Sequence, residues 1–153
     1  MRKKVDVVFL TISSPMLIGV YENLKLIETI SSFEKSSDVL AKLYKELDEK
    51  YSVDRLIYAN GPGSFMAIKI TYIFLKSIAI LKNISLFALD AFYFNQNQPI
   101  KAIGKLYFVK IGTEIITQKI QEVPQGLFEL PKILENRELN TNTVPVYAIG
   151  AVG

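Results

Sequence analysis

Residues 5–11 are apolar on both sides of a two-residue alternation, with Val5, Val7, Phe9 and Thr11 on one side and Asp6, Val8 and Leu10 on the other. That is the pattern of a central strand covered on two faces. Ser13-Ser14-Pro15 ends it, and 16–21 form a second β-rich run. Glu22-Asn23-Leu24-Lys25 suits a hairpin turn, after which 26–30 return as a third strand, so the chain opens with an antiparallel meander. Ser36 or Ser37 then caps a helix that carries Asp38 in its first turn. Val39, Leu40, Leu43, Tyr44, Leu47 and Tyr51 line one side, while Asp38, Lys42 and Glu46, with Lys45 and Glu49, alternate charge at i,i+4 on the other. Residues 55–59 and 84–89 read as short buried strands on either side of a second helix.

That second helix is entered through Asn60-Gly61-Pro62-Gly63-Ser64. The glycines permit positive φ, Pro62 fixes its own φ, and Ser64 caps the helix, making Phe65 the first helical residue. From Phe65 to Lys82, 13 of 18 residues are apolar. At 100° per residue, Ile70, Phe74, Leu81, Ala67, Ile78, Leu75, Ile68 and Ala79 fill a half-cylinder directed at a core. The opposite half carries Lys69 and Lys76, but Phe65, Tyr72, Ile73 and Ile80 stand beside them. A helix apolar all round is covered on both sides, and a chain of 153 residues has little second core to offer. The outward set Phe65, Lys69, Tyr72, Ile73, Lys76 and Ile80 is therefore expected to be a protein interface.

The signal weakens after Asp90. Asn95-Gln96-Asn97-Gln98-Pro99 is a polar break, which divides the chain into an N-terminal lobe (1–95) and a reduced C-terminal lobe (96–153). In the latter, 106–111 and 114–120 form a hairpin around Gly112-Thr113, 131–136 form a short helix, and 144–149 form a last strand. The order β-β-β-α-β-α-β predicts an α/β lobe with a mixed sheet, of the kind shared by ribonuclease-H-like and actin-like domains, followed by the small second lobe.

Composition narrows the chemistry. Half of the residues are hydrophobic and 22% are charged, a globular balance. With neither cysteine nor histidine, disulfides, thiol nucleophiles, imidazole catalysis and Cys/His metal sites are excluded. The net charge of +3 comes from scattered lysines, with only Arg2-Lys3-Lys4 clustered, so no basic groove declares itself. Asp6 and Pro15 interrupt what would otherwise resemble a signal peptide, and Lys69 and Lys76 interrupt the longest apolar run, so a cytoplasmic protein without a membrane partner is expected. Gly61-Pro62-Gly63-Ser64 lacks the spacing of a P-loop or a dinucleotide fingerprint, and reads as a structural corner rather than a phosphate cradle. Asp6, read as solvated near its strand's start, and Asp90, read as a cap for 91–93, are too few for a two-metal nuclease site.

Gly61-Pro62-Gly63-Ser64-Phe65 resembles the hallmark of the bacterial TsaB (YeaZ) proteins, which help make threonylcarbamoyladenosine in tRNA. Met66-Ala67-Ile68-Lys69 follows where members show Thr-Gly-Leu/Val-Arg. Leu75-Lys76-Ser77-Ile78-Ala79 is similar to Ala-Lys-Gly-Leu-Ala, and Gly104-Lys105-Leu106-Tyr107 to Gly-Glu-Val-Tyr. The likeness covers 5–89 well and is thin beyond. It implies an actin-like fold without catalysis of its own, which binds the threonylcarbamoyl-transferring subunit TsaD, or a second copy of itself, through the helices at 37–51 and 65–81. The resemblance also implies a TsaE-like ATPase in the larger assembly, no cofactor bound by this chain alone, ATP and Mg²⁺ only in the complex, and tRNA met only indirectly. Thr11 replaces the family's Asp at the end of the first strand, Lys35 its His and Lys69 its Arg, so ligand contacts do not carry over. The alternatives are an actin-like ATP-binding enzyme, which Leu10-Thr11-Ile12-Ser13-Ser14 equips with neither Asp nor glycine, and a self-associating protein unrelated to tRNA modification.

Overall fold

The computed structural model describes residues 2–121 and 127–146. Five strands form one sheet in the order β3-β2-β1-β4-β5: β1 (Lys4–Leu10), β2 (Met16–Glu22), β3 (Lys25–Ser32), β4 (Ser52–Ala59) and β5 (Ser85–Leu89). The first three pair antiparallel, whereas β1, β4 and β5 run parallel, because the helices α1 (Ser36–Lys50) and α2 (Phe65–Lys82) carry the chain back between strands. The mixed α/β lobe expected from the order of elements is the one observed.

Alternation in β1 sorts its side chains to two cores. Val5, Val7 and Phe9 face α1 and α2, joined by Ile18, Leu56, Tyr58, Ile68 and Leu75. Val8 and Leu10 face the other way, against Tyr21, Ile57, Leu89 and Leu134. Each fully buried side chain of this kind contributes about 1.5–3 kcal/mol, so the central strands hold the layers together.

Asp6 is 9% exposed rather than solvated. The parallel pairing of β1 with β4 sets it opposite Arg55, whose Nε and Nη2 donate to its two carboxylate oxygens at 3.0 and 2.7 Å. Leaving a carboxylate so nearly covered without such a partner would be costly. The start of α1 also departs from expectation. Lys35 is the N-cap and no side chain caps it, because Ser36 and Ser37 already lie inside the helix.

A second sheet of β6 (Ile100–Lys101), β7 (Leu106–Ile111) and β8 (Glu114–Lys119) contains the hairpin read from the sequence. Residues 127–139 then lie across the side of the first sheet that the helices leave bare, where Phe128, Leu130, Leu134 and Leu139 join its core, and 140–146 pass the edge of β5 to the helix side, where the Tyr58 hydroxyl donates to Thr143 O. Residues 131–135 are not helical. Leu26 N donates to Lys132 O and Leu134 N to Leu24 O, both at 2.9 Å or less, which holds this stretch extended beside β3. Only a short 3-10 turn follows, at Asn136–Glu138. Further on, Asn140 exchanges two 2.9 Å backbone bonds with Ala88 of β5. Leu130 closes over β2 at Gly19, where an added Cβ would stand 3.1 Å from its Cδ1. Residues 144–146 are not a strand, and the remainder of the stretch expected at 144–149 lies outside the described residues.

Candidate functional site: the outward face of the second helix

The corner before α2 is fixed by the residues that sequence reading singled out. Gly61 takes φ +109°, and a Cβ there would stand 2.3 Å from the carbonyl oxygen of Val146, so no other residue fits. Pro62 is buried and joined to Gly61 through a cis peptide. Gly63 has no positive φ. Its role is close approach, since an added Cβ would meet Ile12 at 3.1 Å. Ser64 is the N-cap, accepting from Ala67 N, and the helix runs from Phe65 to an Asn83 C-cap at φ +55°.

The buried side of α2 is centred on Ile68, Thr71 and Leu75, all without exposure. Thr71 is polar and was not expected there. Its hydroxyl donates to Ala67 O at 2.7 Å and lies 2.7 Å from Thr11 Oγ1 at the end of β1. Thr11, just beyond β1, is thus engaged in tying that strand to α2. Ile70, Phe74, Ile78 and Ala79 pack against the core as expected. Leu81 does not: it is 79% exposed, in the last turn of the helix.

Phe65, Lys69, Ile73, Lys76 and Ile80 are exposed, Ile80 by 71%. Tyr72 is placed differently from the other five. It is half-buried, its ring stacked on Tyr58 at 5.9 Å between centroids. Met66, 57% exposed, and Leu81 extend the apolar surface beyond the residues that spacing selected. Lys69 Nζ lies 5.9 Å from the centroid of the Phe65 ring.

Beneath this face, α1 and α2 meet through Tyr44 and Phe74, edge to face at 6.1 Å. The Tyr44 hydroxyl is buried with no hydrogen-bond partner among the described residues, and burial pushes its pKa up to about 12. At the N-terminal end of both helices, a cavity of about 480 Å³ opens between Ser13, Ser14, Phe33, Lys35, Ser37 and Ser64. No group of three acidic side chains gathers at metal-holding distance among the described residues. Asp90 caps the short 3-10 helix Ala91–Phe94, accepting from Tyr93 N, and its other oxygen is paired with Lys110. No helix among the described residues is long and apolar enough to cross a membrane.

A mixed sheet in the order 3-2-1-4-5 with two helices on one face is an actin-like, ribonuclease-H-like lobe. Among solved structures, the chain is similar to YeaZ from Pseudomonas aeruginosa, with a TM-score of 0.56 and 15% identity over 84% of this chain. It is equally similar to a structure described as an uncharacterized protein with similarity to peptidase YeaZ from the same organism, with a TM-score of 0.55 and 14% identity. The chain spans 64% and 63% of the lengths of those two structures. No family model matches the sequence, and no curated protein does.

Proposed function

We propose that this chain is a noncatalytic partner subunit in the synthesis of threonylcarbamoyladenosine in tRNA, docking on a TsaD-like subunit through the outward face of α2 and the adjoining α1. The observation that carries the proposal is the set Phe65, Met66, Ile73, Ile80 and Leu81, each 42% exposed or more on one helix of a lobe with the YeaZ fold. Exposed apolar surface of that extent on a structured helix marks a protein contact. In this role the chain contributes surface. The transfer chemistry, ATP and Mg²⁺ belong to the assembled complex with TsaD and a TsaE-like ATPase, and tRNA is met only through them. Thr11 is spent on Thr71, consistent with a subunit that holds no nucleotide by itself.

Ile73→Asp places a charge in the centre of the contact and costs on the order of 2–4 kcal/mol, or roughly 30- to 700-fold in affinity. Calorimetric titration with the TsaD of the same organism measures it directly. Wild-type affinity in the variant would remove α2 from the interface. Deleting the gene and quantifying the modified nucleoside in tRNA tests the role itself: an unchanged level rules it out.

A further inference from the structure

Three of the four sheet edges among the described residues are guarded. On the first sheet, β3 pairs at Leu26 with Lys132 and carries an extra, unpaired residue at Ile27, while β5 is bridged at Ala88 by Asn140. On the second, β6 is only two residues long. The outer side of β8 has none of these protections. Its register against β7 runs unbroken from Glu114 to Lys119, and its centre, Ile115-Ile116-Thr117-Gln118, holds neither charge nor proline. No backbone bond reaches that side among the described residues. Ile120 N donates to Lys105 O at 3.0 Å, so the hydrogen-bonded pairs with β7 recur at every second residue from there. The N–H and C=O groups of Ile115, Thr117 and Lys119 therefore point away from β7.

An identical edge is complementary to this one. In an antiparallel two-fold pairing, outward residues meet outward residues, and the register that sets Ile116 opposite its own copy places Ile115 against Thr117 and Glu114 against Gln118. The axis then carries an apolar pair, and each flank sets a carboxylate beside a carboxamide that donates to it. Lys119 lies beyond, opposite Thr113, so no like charges are opposed. Roughly four backbone hydrogen bonds close between the chains at the Ile115 and Thr117 positions. A register shifted by two residues would instead set Lys119 on Ile115 and leave Glu114 facing Ile120. We infer that a second copy of this chain adds to β8, joining two three-stranded sheets into one six-stranded sheet across a two-fold axis. No residue of α1 or α2 takes part, so this contact and the role proposed above stand or fall separately. One strand pair buries less than the ~1,200 Å² of a lasting interface, which makes the dimer a weak one.

Sedimentation velocity should show the full chain moving progressively faster as its concentration rises from about 10 to about 400 μM. Because the chain has no cysteine, single thiols report the register. Ile116→Cys puts two residues at a non-hydrogen-bonded pair, about 4.5 Å apart at Cα and within disulfide reach. Gln118→Cys, on the same face of β8 and more exposed, is the control, since its two copies stand about 14 Å apart in that register. Under mild oxidation the first should form covalent dimer at least about tenfold faster than the second. Thr117→Pro removes only an outward N–H, which leaves the ladder to β7 intact and blocks addition. It should abolish the concentration dependence, with far-ultraviolet circular dichroism confirming the fold; the cysteine pair decides the matter without it should it not fold. Equal cross-linking rates overturn the inference, and so does a chain that sediments as a monomer throughout. A dimer that survives Thr117→Pro but dissolves in Ile73→Asp belongs to α2 and overturns it as well.

Discussion

Replacing Thr71 by Val keeps the side chain's shape and removes one hydroxyl from a site without solvent access. Thr71 spends its only proton on Ala67 O, so across the 2.7 Å contact Thr11 is the donor and Thr71 the acceptor. Thr71→Val therefore leaves the Thr11 hydroxyl, on a residue 6% exposed, with no acceptor on α2. The lost bond is worth about 1 kcal/mol net and the stranded donor about another 1, for a total of about 2 kcal/mol. Thr11→Val leaves Thr71 still bonded to Ala67 and should cost about 1 kcal/mol. The double variant strands nothing and should cost no more than about 1 kcal/mol, giving a coupling near −2 kcal/mol. Urea unfolding at 25 °C, followed by far-ultraviolet circular dichroism on the four proteins, measures this cycle. Single-variant costs that add to within about 0.5 kcal/mol would show that the two hydroxyls do not depend on one another, and the account of Thr11 would fail.

Gly61→Ala combines a strained φ of +109° with a 2.3 Å approach to Val146 O, and should destabilise by about 3 kcal/mol or more in the same assay. Gly104→Ala is the control. At φ +58° with nothing within 4 Å, it carries only the left-handed penalty of about 1 kcal/mol, and equal costs for the two would refute the packing argument. Hydrogen bonds from the Tyr51 hydroxyl, first, and Lys50 hold the Glu28 carboxyl below its ordinary 4.5. A depressed carboxyl stabilises the fold above its unfolded value and stops doing so as pH falls through the folded one. Stability should therefore fall more steeply below about pH 4.5 in wild type than in Glu28→Gln, as read from unfolding midpoints between pH 3 and 6; parallel curves would exclude the linkage.

The elements that local periodicity encodes were legible. Alternation across β1, the spaced apolar positions of α1 and the glycine turn between β7 and β8 each follow from neighbours within a few residues. The features that escaped depend on distant parts of the chain. Asp6 looks solvated until parallel pairing places Arg55 beside it. Pro131, Ile133 and Leu134 suit a helix start, but β3 had an unpaired edge and drew that stretch into extended pairing instead. Thr71 looked like a break in an apolar surface because its partner, Thr11, is 60 residues away. Leu81 falls within the inward half-cylinder by spacing but at its margin, well away from the Ile68, Thr71 and Leu75 centre, and so it is exposed. The outward stripe could be read from angle and residue type together, whereas Tyr72, at its margin, was decided by an aromatic neighbour on β4.

The extended segment that contacts β3 through Leu24 and Leu26 and β5 through Ala88 also sets a schedule. During synthesis all five strands of the first sheet emerge before it does. For the interval between residues 95 and 146, about 3–10 s at typical elongation rates, both margins of that sheet are bare templates for a neighbouring chain. The apolar face of Val8, Leu10 and Ile57 lacks Phe128, Leu130, Leu134 and Leu139 over the same period. A nascent lobe in that condition is a natural client for a holding chaperone. A fragment cut at residue 121 would keep both liabilities permanently, so its fate in the cell would be set by aggregation and proteolysis rather than by the strength of its remaining core.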